Sequence, residues 1–375
     1  MESISQKGKI QTQLLQWFKK KGRDLPWRKT RDSYAIWVSE IMLQQTQVAT
    51  VIPYYQRFLK SFPTIRHLAK TDLSKVLKVW EGLGYYSRAR NIHRASQIVL
   101  NHFHGSIPDT LKDLFSLPGI GRSTAGAILS FAFNKTAPIL DGNVKRVLSR
   151  VFAIPGNPKG NKTEQSLWHL SESLIPKGYA SSFNQGLMDL GAMTCIPKEP
   201  QCPKCPLRNL CRGKASGKPE RFPTKTIRKK IPHIEAISAV IRENGKVLLK
   251  QRPPEGLLGG LWEFPNWKNE EKTRSRLRLS LKKYIRQETK TNVEVKEFIG
   301  VLHQTYSHFK LTLQVFDCQH LDGKGKGKWV PIKSLGQLAM SRIHRRIADS
   351  ILSKLKWWSS KILYCITIFS GVNNL

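Results

Sequence analysis

Acidic residues are scarce in this chain. Only 26 of its 375 residues are Asp or Glu, against 63 Lys and Arg, which gives a formal net charge of +37. A positive field of this size attracts polyanions, so we expect a nucleic-acid partner, with a merely solvated basic surface as the alternative. The composition is 40% hydrophobic, with ten tryptophans. That excludes a disordered chain, and the length allows two or three domains.

Cysteines and long apolar runs are also few. Four of the six cysteines lie between Cys195 and Cys211, which is typical of metal binding in a reducing compartment rather than of a disulfide framework. Residues 1–16 contain no apolar core of a secretory signal. The longest apolar run, residues 357–372, is interrupted by Ser and Lys and is short for a membrane span. We therefore expect a cytoplasmic protein that does not bind a membrane.

The periodicity of apolar residues predicts two different domains. Up to Met193 the spacing is helical, with predicted helices at residues 35–51, 73–80, 89–101, 123–133, 144–152, 162–174 and 183–193. Residues 213–233 are basic and rich in Pro and Gly, as expected of a linker. Beyond them the period becomes two. Strands at residues 236–242 and 246–251 flank Asn244-Gly245, a hairpin signal, and a basic helix is predicted at residues 272–287, followed by a strand from Leu311 to Cys318.

The four clustered cysteines predict a metal centre. Cys195, Cys202, Cys205 and Cys211 follow the pattern C-x6-C-x2-C-x5-C, within CIPKEPQCPKCPLRNLC. Four thiolates this close in sequence can surround one centre at little cost in loop entropy. Zinc is the alternative, but paired CxxC knuckles or a His ligand would then be expected. The looser spacings favour an iron–sulfur cluster.

A Gly-x-Gly turn joins two predicted helices in LPGIGRSTAG, residues 117–126. Gly119 and Gly121 allow a tight turn and a close approach of the backbone to a ligand. The free N–H groups at the start of the following helix then form an anion site suited to a DNA phosphate.

Together, the turn, the later LDGNVKRV and the cysteine spacing resemble the endonuclease III superfamily of helix-hairpin-helix DNA glycosylases. The segments WVSEIMLQQTQV, GLGYYSRARN and FNQGLMDLGA narrow the resemblance to the MutY-type adenine DNA glycosylases. The resemblance is dense from Leu25 to Cys211 and looser through the C-terminal domain. It implies one [4Fe-4S] cluster held by the four cysteines, and double-stranded DNA with A·8-oxoguanine or A·G mispairs as partner.

Two carboxylates are the candidate catalytic groups. Glu40 has the apolar helical neighbours Ile36, Trp37 and Leu43, so partial burial should raise its pKa and keep it protonated. The resemblance makes it the catalytic acid; the alternative is a surface or paired glutamate. Asp141 precedes a predicted helix and could simply be its N-cap. A helix N-terminus would keep it ionised, and the resemblance makes it the group that stabilises the sugar cation, supported by Asn143.

Ser123 decides between two reaction types. In superfamily members that also cleave the strand, a Lys occupies this position and attacks the sugar as a Schiff-base nucleophile. A hydroxyl cannot form an imine. We therefore expect base release that leaves an abasic site, without coupled strand cleavage.

Further site residues follow from the resemblance. Trp27, Arg28 and Gln185 match residues of the adenine pocket, although Trp27 could be core and Arg28 a phosphate contact. Gln45 and Tyr85 match residues inserted beside the opposing base, although both could be ordinary helix-surface and core groups.

The C-terminal domain resembles the Nudix-related domain of the MutY type, most clearly in QRPPEGLLGGLWEFP. The region LKKYIRQETKTNVEV lacks the run of glutamates that a magnesium-dependent Nudix hydrolase needs, so we expect recognition rather than hydrolysis. Tyr306, Ser307 and His308 match the family's Phe-Ser-His loop that contacts 8-oxoguanine, with Tyr in place of Phe. The alternative for His308 is a hydrogen-bonded histidine at a strand end.

The sequence therefore predicts a mainly α-helical helix-hairpin-helix glycosylase domain with a four-cysteine iron–sulfur cluster loop, followed by a C-terminal α+β Nudix-like domain. The predicted boundaries are residues 1–212, with the cluster loop at 195–211, a linker at 213–233, the Nudix-like domain at 234–355 and an apolar tail at 356–375. Two other functions stay open from the sequence. One is a bifunctional glycosylase/lyase for pyrimidine lesions, and the other is a non-catalytic iron–sulfur protein that binds DNA.

Overall fold

The computed structural model describes residues 4–224, 231–269 and 274–353. The apolar tail predicted at 356–375 lies outside the described residues. Two compact units are present. Unit 1 comprises residues 1–71 and 91–228, and unit 2 comprises residues 72–90 and 229–375.

Helices make up most of the chain before residue 225. In chain order they are α1 (Ile4–Lys21), α2 (Ser33–Leu43), α3 (Val48–Ser61), α4 (Ile65–Lys70), α5 (Leu73–Trp80), α6 (Ser87–His102), α7 (Leu111–Phe115), α8 (Arg122–Phe133), α9 (Gly142–Val151), α10 (Asn161–Ser173), α11 (Ala180–Met193) and α12 (Arg212–Ala215). Short polar side chains cap several of them. Asp32 accepts a hydrogen bond from the Tyr34 backbone at the start of α2, and Thr64 and Thr110 do the same for α4 and α7.

The core of unit 1 determines where the site can form. Residues 34–42 of α2 are all buried, so this helix is enclosed on every side. A second buried cluster joins α1, α9, α10 and α11 through residues such as Leu14, Val147, Leu167 and Phe183. Six of the seven helices predicted before residue 195 match observed helices to within three residues, whereas α1, α4, α7 and α12 were not predicted individually.

One predicted helix is wrong. The stretch 35–51 is two helices, because the chain leaves α2 after Leu43 and starts α3 at Val48. Gln44 donates through Nε2 to the Gly119 carbonyl oxygen at 3.3 Å and to Thr124 Oγ1 at 3.1 Å. Gln45 takes a left-handed φ of 57°. These contacts with the 117–126 turn favour a loop where the local pattern favoured continued helix.

Unit 2 is α+β, as predicted. Its strands are β1 (His233–Glu243), β2 (Lys246–Gln251), β3 (Trp262–Glu263), β4 (Asn266–Lys268), β5 (Asn292–Thr305), β6 (Lys310–Asp322) and β7 (Lys328–Pro331). The order in the sheet is β3-β2-β1-β6-β5, with β4 paired to β1 and β7 to β2. β1 and β6 run parallel, and the other pairs are antiparallel. The Asn244-Gly245 hairpin has positive φ at both residues, which confirms the turn signal.

Helices cover both faces of this sheet. α13 (Arg274–Thr289) packs Leu281 and Ile285 against one face. α14 (residues 342–353) packs Ile343 and Ile347 against the other. Both faces of the central strand β1 are therefore buried, which explains why Val240 on one side and Ile241 on the other are both inaccessible.

The segment 72–90 packs with unit 2. Tyr86 donates from its hydroxyl to the Met340 carbonyl oxygen at 3.3 Å, and Arg90 donates to the Gly259 carbonyl oxygen at 3.0 Å. Residues 213–224 also differ from a free linker. Gly213 lies against the Arg150 backbone, and the Thr224 backbone donates to the Gly156 carbonyl oxygen. Within the described ranges, no helix is long and apolar enough to cross a membrane.

Candidate active site

A cavity of about 720 Å³ in unit 1 brings together six residues that the sequence singled out. They come from the short helix at 26–28, from α2, from the start of α9 and from α11, and they are Trp27, Arg28, Glu40, Asp141, Asn143 and Gln185. The cavity is large enough for a small heterocycle, and it combines aromatic, cationic and acidic groups.

Glu40 is buried at the wall of this cavity, with 9% of its surface exposed. Burial, and to a smaller extent the nearby charge of Asp141, raise the pKa of Glu40 to about 8 against the opposing effect of Arg28. The carboxyl group therefore holds a proton at neutral pH. The burial and raised pKa expected from its apolar helical neighbours are confirmed.

Asp141 is the N-cap of α9. Its Oδ1 accepts a hydrogen bond from the Val144 backbone at 2.7 Å. Burial raises the pKa of Asp141, and hydrogen bonds from the Val144 and Asn143 backbones and the charge of Arg146 oppose that rise. The expectation that the helix start alone would set its ionisation is thus corrected, because burial is the larger effect. Between the two carboxyls, the donors around Asp141 favour it as the charged partner.

Asn143 connects Asp141 to its surroundings. Its Nδ2 donates to Asp141 Oδ2 at 3.4 Å, and its Oδ1 accepts from Arg146 at 2.8 Å. A Cβ at Gly191 would lie 2.7 Å from the Asn143 Cβ. Only glycine at this point of α11 therefore lets α9 approach closely enough to place Asn143 at the cavity.

Arg28 is held by a residue that the sequence analysis missed. Its two terminal nitrogens donate to the two carboxylate oxygens of Asp189 at 2.7 and 2.9 Å, and Arg23 donates to the same carboxylate from its backbone and Nε. The Asp189 side chain is fully buried. Both terminal nitrogens of Arg28 are thus engaged by this carboxylate. The sequence did contain a signal for this pair. Asp189 lies within the apolar stretch GLMDLGA, and a carboxylate that is buried requires a charged or hydrogen-bonding partner.

Trp27 and Gln185 complete the pocket wall. Trp27 is buried and meets Tyr55 edge to face, with ring centroids 5.4 Å apart, so it is both core and cavity lining. Gln185 donates through Nε2 to Ser181 Oγ at 3.0 Å. Its amide oxygen is the group that can accept a hydrogen bond from an amine in the cavity.

The Gly-x-Gly turn connects α7 and α8 as predicted. Gly119 has φ of +85°, and a Cβ there would lie 2.9 Å from the Asn91 Cβ, so its conformation and its surroundings both require glycine. Gly121 is the N-cap of α8, with open space beside it. Ser123 Oγ accepts a hydrogen bond from the Leu140 backbone at 3.2 Å. The hydroxyl therefore fixes the strand-like segment that ends at Asp141.

Gln45 and Tyr85 are both exposed and both have positive φ, 57° and 49°. Such a conformation is uncommon outside glycine and is concentrated at functional sites. Neither is the ordinary helix-surface or core group that was the alternative. The Tyr85 hydroxyl forms a hydrogen bond with Ser307 Oγ at 2.7 Å, and both residues belong to unit 2.

Tyr306, Ser307 and His308 form the turn between β5 and β6. The Tyr306 backbone donates to the Phe309 carbonyl oxygen at 2.9 Å, and Ser307 and His308 are exposed. The Tyr306 ring stacks on Phe309, with centroids 4.7 Å apart, and burial raises its pKa. Its ring is therefore partly buried against Phe309, and Ser307 is the group at the tip of the turn.

The four loop cysteines line one small cavity beside α9, and none of the four forms a disulfide. Burial raises the pKa of Cys205 to about 12. Arg150, only 2% exposed, donates to Cys195 Sγ at 3.4 Å and to three carbonyl oxygens of residues 195–197. Among the described residues, no group of three or more His, Cys, Asp or Glu side chains has the geometry to hold a single metal ion. Four sulfur donors around one cavity fit the donor set of an iron–sulfur cluster.

The comparisons with known proteins agree with this architecture. Residues 38–173 match the model of the HhH-GPD superfamily base excision DNA repair proteins, and residues 236–350 match that of the NUDIX domain. The fold and the turn thus define a helix-hairpin-helix DNA repair glycosylase with a C-terminal Nudix-like domain.

Individual relatives are more specific. The adenine DNA glycosylase of Buchnera aphidicola (subspecies Acyrthosiphon pisum) is 41% identical, over 80% of this chain and 83% of the relative. The human adenine DNA glycosylase is 38% identical, over 81% of this chain and 65% of the relative. A thermostable thymine-DNA glycosylase of known structure is 33% identical with a TM-score of 0.53, over 56% of this chain and 98% of that one. The chain belongs to the adenine DNA glycosylases.

Proposed function

We propose that this enzyme hydrolyses the N-glycosidic bond of adenine opposite 8-oxoguanine or guanine in double-stranded DNA. The observation that carries the proposal is the pair of carboxyls in one cavity, with Glu40 protonated near neutral pH beside Asp141. One acid that keeps its proton and one that keeps its charge is the division of labour that glycosidic cleavage requires.

In the proposed reaction the adenine leaves the base stack and enters the cavity, where Trp27 offers an aromatic wall and Gln185 an amide. Glu40 gives its proton to a ring nitrogen of adenine. The C1′–N bond then breaks, and its electron pair goes to the base. The ionised Asp141 stabilises the sugar cation. Water adds to C1′ and loses a proton, which leaves an abasic site.

Ser123 supports base release without strand cleavage. Its hydroxyl cannot form the imine that a lyase needs, and it is already engaged by the Leu140 backbone. A glycosylase/lyase that acts on pyrimidine lesions is the second candidate, favoured only by the shared helix-hairpin-helix fold.

Recognition of the partner base is proposed for groups of unit 2 together with the loop after α2. Ser307 at the tip of the 306–309 turn would contact 8-oxoguanine, with His308 beside it, and Tyr85 would fill the gap beside that base. Gln45, in the loop after α2, would also insert beside the opposing base. The N-terminus of α8 at Gly121 would bind a backbone phosphate.

We further propose that Cys195, Cys202, Cys205 and Cys211 hold one [4Fe-4S] cluster, which would fix the loop on α9 when bound. The enzyme would act as a monomer. A protein that repairs chromosomal DNA works where that DNA is, so we place it in the cytoplasm with the nucleoid.

Duplexes that contain A·8-oxoguanine, A·G or thymine glycol test the function. We expect strand breaks at adenine only after hot alkali, and none at thymine glycol. Replacing Glu40 by Gln removes the transferable proton and should slow adenine release by at least about 10²-fold while DNA binding is kept. Breaks without alkali at thymine glycol would favour the lyase, and an active Glu40→Gln variant would refute the role of Glu40.

A further inference from the structure

Tyr85 lies in a loop, residues 81–86, whose supports all belong to unit 2. Trp80 donates from its indole nitrogen to the Gly84 carbonyl oxygen at 3.0 Å, and the Gly82 backbone donates to the Tyr86 hydroxyl at 3.1 Å. The buried Arg88 lies over the rings of Trp80 and Tyr85 at 5.5 and 5.2 Å. These bonds set the shape of the loop but do not attach it to the sheet domain.

Glu81 and Arg345 add to the attachment that Tyr86 makes through its bond to the Met340 carbonyl oxygen. Glu81 Oε1 accepts from Arg345 Nε at 2.9 Å and from the Met340 backbone at 3.0 Å, and its other oxygen pairs with Lys78. The two terminal nitrogens of Arg345 donate to the carbonyl oxygens of Leu335 and Leu338 at 3.1 and 2.5 Å. The side chains of Glu81 and Arg345 are 14% and 17% exposed.

The 81–86 loop also contacts the turn proposed to recognise 8-oxoguanine, because the Tyr85 hydroxyl is bonded to Ser307 Oγ at 2.7 Å. Tyr85 holds a left-handed φ of 49°, which costs free energy unless the surroundings impose it. Charged, mostly buried bonds at one end of a six-residue loop are strong enough to impose such a conformation at the other end.

We propose that Glu81 and Arg345 are positioning residues for recognition of the partner base: their ion pair seats the 81–86 loop on unit 2 and thereby holds Tyr85 against Ser307. The inference rests on the proposed function of Tyr85 and Ser307. Neither Glu81 nor Arg345 touches the cavity that contains Glu40, so the device acts on the choice of mispair and leaves the chemistry unchanged.

The test compares single-turnover release of adenine from three duplexes, with adenine opposite 8-oxoguanine, opposite guanine, or opposite a nucleotide that lacks a base. Arg345→Ala should slow release opposite 8-oxoguanine about tenfold and change release opposite the missing base less than about twofold. The matched control is Arg342→Ala, an exposed arginine one turn earlier on α14, which removes the same charge. This control should release adenine opposite 8-oxoguanine, relative to the missing base, at the same ratio of rates as the wild-type enzyme.

Two more variants keep the test decisive. Glu81→Gln retains an acceptor for the Met340 backbone but loses the charge. When it is combined with Arg345→Ala, adenine release opposite 8-oxoguanine should be no slower than in Arg345→Ala alone. Arg345→Lys keeps the charge but cannot reach both carbonyl oxygens, and it should show an intermediate preference; it also serves if the alanine variant does not fold.

Equal slowing on all three duplexes, in step with a lower unfolding temperature, would reduce the pair to a structural role and overturn the inference. An unchanged preference in Arg345→Ala would overturn it as well. If the wild-type enzyme releases adenine no faster opposite 8-oxoguanine or guanine than opposite the missing base, the proposed recognition of the partner base fails, independently of the variants.

Discussion

Glu40 and Asp141 share one cavity but differ in the groups that surround their carboxyls. No hydrogen bond from a backbone N–H contributes to the pKa of Glu40, whereas Asp141 receives such bonds at the start of α9. Burial acts on both. The donors oppose the rise in the pKa of Asp141 and so favour it as the charged partner, while the charge of Asp141 raises the pKa of Glu40.

The stability of the folded chain should depend on pH through Glu40. The folded-state pKa is about 8, against an ordinary value of 4.5. Between these values the unfolded chain has lost the proton that the folded chain keeps, so rising pH favours unfolding. We expect the free energy of unfolding to fall by about 1.4 kcal/mol per pH unit, relative to Glu40→Gln, over this window. Denaturant titrations of both proteins at several pH values measure the difference.

The control is Glu172→Gln, on the exposed side of α10. Its free energy of unfolding should depend on pH in the same way as that of the wild-type enzyme. The same titration predicts that kcat/KM for adenine release falls above about pH 8, since the free enzyme then lacks its acid. A pH dependence of stability that is the same in wild type and Glu40→Gln would show that Glu40 ionises normally.

Helix α9 connects the two functional elements of unit 1. Its N-terminus presents Asp141, and Arg150 near its other end holds the cysteine loop through four hydrogen bonds. α11 crosses it at Gly191, where the Asn143 Cβ leaves no room for a side chain. The helix is thus fixed at its start, by Gly191 packed against Asn143, and near its end, by Arg150, which is what a precisely placed carboxylate needs.

The cysteine loop should depend on iron. Cys202→Ser removes one of the four sulfur donors around the cavity, so we expect the purified protein to lose most of its iron and about 2 kcal/mol or more of stability in unit 1. Iron analysis and thermal unfolding measure both. Cys318→Ala removes the buried cysteine of unit 2 and should keep the iron. Equal iron content in the two variants would contradict a cluster at the loop.

At the scale of the whole molecule, charge is the dominant feature. With a net charge of +37, affinity for undamaged duplex should come mainly from counterion release. We expect that affinity to fall about 10³-fold between 50 and 200 mM salt, which corresponds to contacts with several phosphates. Fluorescence anisotropy across this salt range is the measurement. A change of less than about tenfold would show that few of the basic residues contact DNA.

The two units separate the proposed tasks. The bond-breaking carboxyls belong to unit 1, whereas Tyr85, Ser307 and the ion pair Glu81–Arg345 belong to unit 2. Variants of unit 2 should therefore alter the choice of mispair before they alter the rate of the chemical step.

The sequence by itself determined the local elements and the chemistry available. Apolar periodicity predicted most helices and the main strands, and Asp141 before a helical stretch and Asn244-Gly245 between strands were recognisable as a cap and a turn. These features depend on residues within a few positions of each other, so a local pattern contains them.

The tertiary structure alone decided how distant residues combine. The break after Leu43 depends on contacts 75 to 80 residues away, the Arg28–Asp189 pair spans 161 residues and the Glu81–Arg345 pair spans 264. The burial that moves the pKa of Glu40 has the same origin, since it comes from packing around α2 rather than from its neighbours in sequence. Such energies arise only when separate segments meet, and no spacing along the chain encodes them.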